Sequence, residues 1–286
     1  MIWQFRGREM TFERVKLMGI LNVTPDSFSD GGQCLSKEKA VQRALELEKE
    51  GADLIDIGGE STRPSAQPVS LEEELKRVIP VIREIRSRST LPLSIDTTKP
   101  EVARQALEAG ADIVNDVDGL GAFPEMAEVV RKFGAGLILM HRRGTPQTMQ
   151  ELAHYDDVVE EVSGELRKSF NQVCASGVNP HQVVLDPGIG FSKNREQSIE
   201  LVARLHEFDS SGRPILVGPS RKSFIGSLTG KGPEERDGGT VAAVTLLVMN
   251  GVHLVRVHQI SIMKDAVKVA EAIIGSYGRT PLQKGK

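Results

Sequence analysis

The sequence is poor in cysteine. Cys34 and Cys174 are the only two in 286 residues, and they form no CxxC pair. A disulfide scaffold and a cysteine-rich zinc cluster are therefore excluded, and a reducing cytoplasm is the expected compartment. A basic excess is also missing, since 36 Lys and Arg stand against 39 Asp and Glu. A nucleic-acid partner is not expected from such a balance. Long hydrophobic runs are absent. The longest, Val241–Met249, is interrupted by Thr245 and is too short to cross a bilayer. Met1–Met10 lacks the continuous apolar stretch of a secretory signal, so neither export nor membrane attachment is expected. The composition, 39% hydrophobic and 26% charged, fits a soluble globular protein with a sizeable core.

What is present is a repeated pattern. A short apolar run, a polar or glycine-rich stop and a longer helical stretch recur along the chain. The runs are Val15–Val23, Ala52–Ile57, Leu91–Thr97, Ala111–Val117, Ala135–His141, Gln182–Asp186, Pro214–Gly218 and Val252–His258. Each is rich in Val, Ile and Leu and too short for a typical helix, as suits a strand covered on both faces of a parallel sheet. Between them, Ser70-Leu71-Glu72-Glu73 is a capping-box pattern, and Pro80 is expected to kink or divide the helix that follows. Val158, Val162, Leu166 and Phe170 recur every four residues, on one helical face. Gly51, Gly110, Gly134 and Gly251 stand where a helix passes into a strand. This order predicts an α/β fold, a (β/α)8 TIM barrel forming a single domain over residues 1–286 with its core at about 15–277. Only Thr280–Lys286 is expected to fray.

In such a barrel, functional groups gather at the C-terminal ends of the strands. Asn22, Asp56, Asp96, Asn115, His141, Asp186, Lys222, Arg256 and His258 all fall there. So many polar residues at strand ends point to a polar small-molecule pocket. His141 either lines that pocket or supports it, and the remaining histidines, including His253, read as surface or boundary residues. The stretches Asn22–Gly32 and Gly58–Ser65 are long and rich in turn formers, as lids over a site would be. The adjacent cations Arg221 and Lys222 suit an anion or a polar heterocycle. Gly226–Gly232 imitates a phosphate-binding loop but is one residue short and lacks the final Ser or Thr. Asp116-Val117-Asp118-Gly119 lacks the other ligands of a calcium loop.

Several of these segments together resemble the dihydropteroate synthases. Met18–Gly32, MGILNVTPDSFSDGG, resembles the first signature of that family, and Gly51–Pro64, GADLIDIGGESTRP, the second. Asp186, Ser220-Arg221-Lys222 and Arg256-Val257-His258 match further motifs in order. The likeness spans roughly residues 15–277. Two positions depart from the usual pattern: Gln259 stands where Asp is common and Ser192 where Gly or Ala is common.

The resemblance implies a transferase of folate biosynthesis. It would join 6-hydroxymethyl-7,8-dihydropterin diphosphate to p-aminobenzoate, assisted by Mg2+, as a homodimer inhibited by sulfonamides. It further implies that Asp96, Asn115, Asp186 and Lys222 bind the pterin, and that Asn22, Arg256 and His258 handle the diphosphate. Asn22 would also be a ligand of the metal. Thr62, Arg63, Pro64, Phe28, Phe191 and Ser220 would form the p-aminobenzoate site, with Asn22, Lys222, Arg256 and His258 as the catalytic set. A corrinoid-type pterin methyltransferase and a non-catalytic pterin-binding homologue are the alternatives. The first has no diphosphate to handle, and the second is expected to have lost loop residues that this chain retains.

Overall fold

The computed structural model describes residues 1–24, 32–61, 66–119, 121 and 124–276. All eight apolar runs are strands: β3 (Lys16–Asn22), β4 (Leu54–Gly58), β5 (Leu93–Asp96), β6 (Ile113–Asp116), β7 (Gly136–Met140), β8 (Val183–Asp186), β9 (Leu216–Val217) and β10 (Leu254–Val257). They form one sheet in the order β8-β7-β6-β5-β4-β3-β10-β9, with parallel pairing throughout. A parallel bridge between Leu185 and Ile215 joins the two ends, so the sheet closes into a barrel. Helices α1 (Gly32–Glu50), α2 (Leu71–Arg88), α3 (Pro100–Ala109), α4 (Glu125–Phe133), α5 (Val158–Ala175), α6 (Arg195–Ala203), α7 (Ser223–Thr229), α8 (Asp237–Met249) and α9 (Ile260–Ser276) return the chain between strands or follow the last one.

Alternation along each strand divides the apolar residues into two sets. Leu17, Ile55, Ile57, Leu93, Ile95 and Val114 belong to the large cluster that includes the buried helix faces. Met18, Leu54, Ile113, Ile138, Val184, Leu216 and Leu254 form a separate cluster inside the barrel. Two residues further along the same strands, that alternation brings Asp56, Asn115, Asp186 and Arg256 to the next level. Strand period therefore places an apolar layer beneath the polar strand ends.

The lower end is closed by an element the strand pattern did not reveal. β1 (Ile2–Phe5) and β2 (Arg8–Thr11) form an antiparallel hairpin. Trp3 and Phe5 from it, with Phe12 just beyond, pack against the interior apolar layer. The indole Nε1 of Trp3 donates to Gln182 O at 2.8 Å, which satisfies its one polar atom in the dry interior. His253, expected at a surface or boundary, is buried here instead. Its Nδ1 accepts the Ile215 N–H at 3.2 Å, and its ring stands edge-on to Phe12 at 5.6 Å.

Other local expectations meet mixed outcomes. The hydroxyl of Ser70 accepts from Glu73 N at 3.2 Å, but the Glu73 carboxylate takes Arg77 Nε at 3.0 Å, so the hydroxyl half of the capping box is joined to an ion pair. Helix α2 runs unbroken past Pro80. Pro80 and Lys76 are both exposed, so the carbonyl that loses its amide partner stands at the solvent face. Gly110 and Gly134 end α3 and α4 in the left-handed conformation, with φ of 117° and 60°. Gly226–Thr229 lies in α7 and Gly230 caps it, which removes the phosphate-loop resemblance. Asp116 accepts the Asp118 N–H at 3.0 Å and Asp118 pairs with Arg142, so both carboxylates have protein partners. Residues 280–286 lie outside the described ones. No described helix is long and apolar enough to cross a membrane.

Replacing Trp3 by Ala should leave a cavity under the barrel and remove one hydrogen bond from the Gln182 carbonyl, at a cost of about 3–5 kcal/mol. Urea unfolding should show that loss, while turnover of the folded fraction stays near that of the parent because the strand ends carrying the site are at the opposite mouth.

Candidate active site

The upper level of the barrel interior carries charge. Asp56 on β4 is fully buried, and its Oδ2 accepts from Arg256 Nε at 2.6 Å and Asn115 Nδ2 at 3.0 Å. Arg256 on β10 reaches across to Asp96 as well, with Nη2 to Oδ2 at 2.7 Å. One guanidinium thus ties two carboxylates from neighbouring strands, and Asp96 lies beside Asn115 in the β5–β6 register. Burial pushes the Asp96 carboxyl up to about 7, opposed by Arg256 and reinforced by Asp56. Asp56 Oδ1, Asp96 Oδ1, Asn115 Oδ1 and Ser94 Oγ are buried and have no hydrogen-bond partner among the described residues. Buried polar atoms rarely stay unpaired, and three of these four are pure acceptors. The floor of the barrel mouth is therefore built to receive N–H donors.

Across the mouth, Asp186 ends β8 with 6% of its surface exposed. Its Oδ1 accepts the Gly188 N–H at 2.7 Å. Gly188 has φ of 67°, and a Cβ there would fall 2.1 Å from the His141 carbonyl oxygen, so only glycine fits this turn. Burial pushes the Asp186 carboxyl up to about 6, against the pull of the Gly188 amide, Lys222, Lys193 and Arg256. Lys222 Nζ lies 3.9 Å from the centre of the Phe191 ring, a cation–π contact that brings two of the expected residues together. Of the two adjacent cations, Arg221 turns to Asp237 and Glu234 instead.

Ser220, just beyond β9, meets the last strand end. Its hydroxyl meets His258 Nδ1 at 2.9 Å and accepts the His258 backbone N–H at 3.3 Å, which orients the imidazole. Asn22 ends β3 beside Gly58 and is half-buried. Phe28, Thr62, Arg63 and Pro64 lie outside the described residues. Near the start of the second long loop, Lys99 bridges Glu60 and the fully buried Glu74, an ion-pair network that sequence spacing did not single out. Asp56 was visible as a strand-end residue, but nothing in the sequence marked it as the acceptor that seats Arg256. The signal available was its alternation with Leu54, an inward position on β4.

Among the described residues, no three His, Cys, Asp or Glu side chains converge on a possible metal. A hard cation at this mouth would therefore need oxygen from an amide such as that of Asn22, from water and from its own ligand.

Comparison with known proteins gives the geometry a family. A model described as pterin binding enzyme matches residues 18–258. The chain is 50% identical over 266 residues to a dihydropteroate synthase of Synechocystis sp., with 91% of each protein covered. The chain belongs to the dihydropteroate synthase family. A Xanthomonas albilineans dihydropteroate synthase solved with 4-aminobenzoic acid has a TM-score of 0.89 at 45% identity, covering 95% of this chain and 97% of that one. The same organism's synthase solved with 7,8-dihydropteroate gives 0.86 at 42% identity, covering 95% and 98%.

The two departures from the usual synthase pattern have separate structural settings. Gln259 is exposed and directly precedes α9, where an Asp side chain would cap more effectively. Ser192 is fully buried with φ of 47°, the region in which glycine is most at ease. Its hydroxyl compensates by accepting Arg143 N–H at 2.9 Å and donating to Phe191 O at 2.7 Å. Ser192→Ala should keep the backbone strain and strand the Arg143 amide, lowering stability by roughly 1–2 kcal/mol in a urea titration. Ser192→Gly loses the same bonds but releases strain of roughly 1 kcal/mol, and should fall between Ala and the parent.

Proposed function

We infer that this enzyme is the transferase that condenses 6-hydroxymethyl-7,8-dihydropterin diphosphate with p-aminobenzoate, giving 7,8-dihydropteroate and diphosphate. The observation that carries the site assignment is the set of buried acceptor oxygens on Asp56, Asp96 and Asn115 that have no partner among the described residues. An aminopyrimidinone edge presents several N–H donors in a row, and that is what such a floor requires. Asp186, on the other side of the mouth, takes a further donor of the ring, and Lys222 serves its carbonyl or ring nitrogens. Carboxylates around the guanidine-like edge also favour positive character in the ring, which lowers the barrier to losing an anion from its side chain.

In the reaction, the bond between the pterin methylene carbon and the diphosphate oxygen breaks, and its electron pair leaves with the diphosphate. The aniline nitrogen of p-aminobenzoate forms the new bond to that carbon and then loses a proton. No protein nucleophile is needed. We assign Arg256 and the Ser220-oriented His258 to the charge of the leaving group. Arg256 also stays anchored by Asp56 and Asp96, so its contribution is a fixed charge rather than a mobile arm. The Asn22 amide oxygen is the protein donor we assign to Mg2+, which it would help to hold at the mouth. When bound, that ion supplies neutralisation of the leaving group's charge. Phe191 and Ser220 are assigned to one side of the p-aminobenzoate subsite. Phe28, Thr62, Arg63 and Pro64 are assigned to the rest of that subsite, where sulfonamides compete. The corrinoid-type alternative releases no diphosphate, so equimolar release of diphosphate and dihydropteroate separates the two activities.

Asp186→Asn should weaken pterin binding by roughly 1.5–3 kcal/mol, the value of one charge-assisted bond. The pH dependence has a definite sign. Carboxyls whose ligand-free values are raised to about 7 at Asp96 and about 6 at Asp186 are protonated as pH falls, and a protonated oxygen loses acceptor capacity. Pterin affinity should therefore decline from pH 8 towards pH 5, and Asp186→Asn should remove the lower of the two steps. Calorimetry across that range measures both effects; an unchanged affinity at every pH would remove Asp186 from the site.

We assign the assembly as a cytoplasmic homodimer. Leu246 and Met249 on α8, with Ile262, Val269 and Ile273 on α9, are exposed and recur at helical spacing on two packed helices, which offers an apolar face to a second copy. Met249→Arg would place a charge in that face. Sedimentation should show the parent at twice the 31.2 kDa chain mass and the variant shifted towards the monomer.

A further inference from the structure

Lys193 lies behind the pterin site and is not part of the chemistry above. It follows the Asp186–Phe191 segment and is 2% exposed. Its Nζ is 2.9 Å from His141 Nδ1, 2.8 Å from Phe191 O and 3.3 Å from His141 O. The protonation of His141 follows from its other nitrogen. Nε2 is 2.8 Å from Glu165 Oε2, and the carboxylate, held down to about 2 by His141 and Arg143, accepts. Nε2 is therefore the protonated nitrogen. The imidazole is neutral, in keeping with burial and Lys193 bringing His141 down to about 4. Nδ1 is then an acceptor. Among the described residues, Lys193 thus faces three acceptors and no donor. An ammonium has three protons for them, whereas a neutral amine would turn its lone pair towards one of them.

We propose that Lys193 is a positioning residue of the pterin site, whose buried ammonium ties the Phe191 carbonyl to the end of β7 and supplies a fixed positive charge at the far end of the turn that begins at Asp186. The two roles are joined by geometry. The chain from Asp186 to Lys193 turns through Gly188 under the His141 carbonyl, and the lysine returns to that same carbonyl, closing the turn on itself. Ser192 adds a second tie to β7 through Arg143 N, so Asp186 and Phe191 are carried on a doubly fastened segment. The charges around Asp186 come from three directions: Lys193 after β8, Lys222 after β9 and Arg256 on β10. Around Lys193 stand His141 and Arg143 just beyond β7, Glu165 on α5, Lys222 and Asp186. Burial draws the Lys193 ammonium well below the ordinary lysine value, and Asp186 works against that change. Lys193 spends its protons on three protein acceptors. Its charge therefore stays in place when pterin enters.

This inference rests on Asp186 as a pterin ligand, and the test separates the two ideas by working first without ligand. In the parent protein with nitrogen-15 lysine, the Lys193 Nζ resonance should be that of an ammonium at pH 7. A neutral amine there overturns the proposal and requires no variant to fold. Lys193→Gln keeps two N–H donors for the Phe191 carbonyl and His141 but removes the charge. With carbon-13 aspartate, the Asp186 carboxyl should titrate roughly one unit higher in this variant than in the parent. Lys193→Arg, which keeps the charge, should restore most of the difference. An unmoved Asp186 titration in folded Lys193→Gln overturns the charge role. Binding of 6-hydroxymethylpterin is measured last. Its acid limb should move upward with the Asp186 titration. A shifted carboxyl with an unshifted binding limb would leave Lys193 in its role and remove Asp186 from the pterin.

Discussion

The site depends on a guanidinium that is not free to move. Arg256 is held by Asp56 on one side and Asp96 on the other, within a closed ring of parallel strands. Removing these charges from water is costly, and the ion pairs alone need not repay that cost. The barrel can place them there because the layer beneath is large and apolar. Met18, Leu54, Ile113, Ile138, Val184, Leu216 and Leu254 fill the interior, and Trp3, Phe5 and Phe12 seal its lower end. The charge cluster is a strained possession of a fold whose stability lies elsewhere.

That arrangement explains why the mouth suits a flat, donor-rich heterocycle. Asp96 and Asp186 are both pushed upward by burial, and cations stand near both. Asp56, Asp96 and Asn115 each keep a buried oxygen whose hydrogen bonds no protein group among the described residues makes. A ligand that restores those bonds recovers part of the desolvation cost already incurred in folding. Preorganisation here is chemical as well as geometric, because the acceptors are present before the ligand arrives.

Much of the fold was legible in order along the chain. Eight Val-, Ile- and Leu-rich runs gave eight strands because parallel strands covered on both faces need continuous apolar sequence. The glycines after helices were readable because few other residues take positive φ cheaply. The hairpin Ile2–Thr11 was not readable, since its four-residue strands carry mixed burial and its purpose is to plug a hole formed by distant strands. The unbroken course of α2 past Pro80 was missed for a related reason: the lost carbonyl partner falls on the wetted face, which only the packing of the helix reveals.

The sequence by itself determined the strand period, the helix ends and which polar residues stand at strand ends, because these follow from local geometry repeated over a few residues. It also carried the family motifs. Only the tertiary structure decided the pairings. Arg256 and Asp56 are 200 residues apart, Ser220 and His258 38, and Lys193 and His141 52. Nothing local selects Asp56 over any other buried carboxylate for Arg256, or makes His141 a neutral acceptor rather than a pocket-lining base. Closure of the barrel brings those atoms to hydrogen-bonding distance, and low solvent access then fixes which of them carry charge.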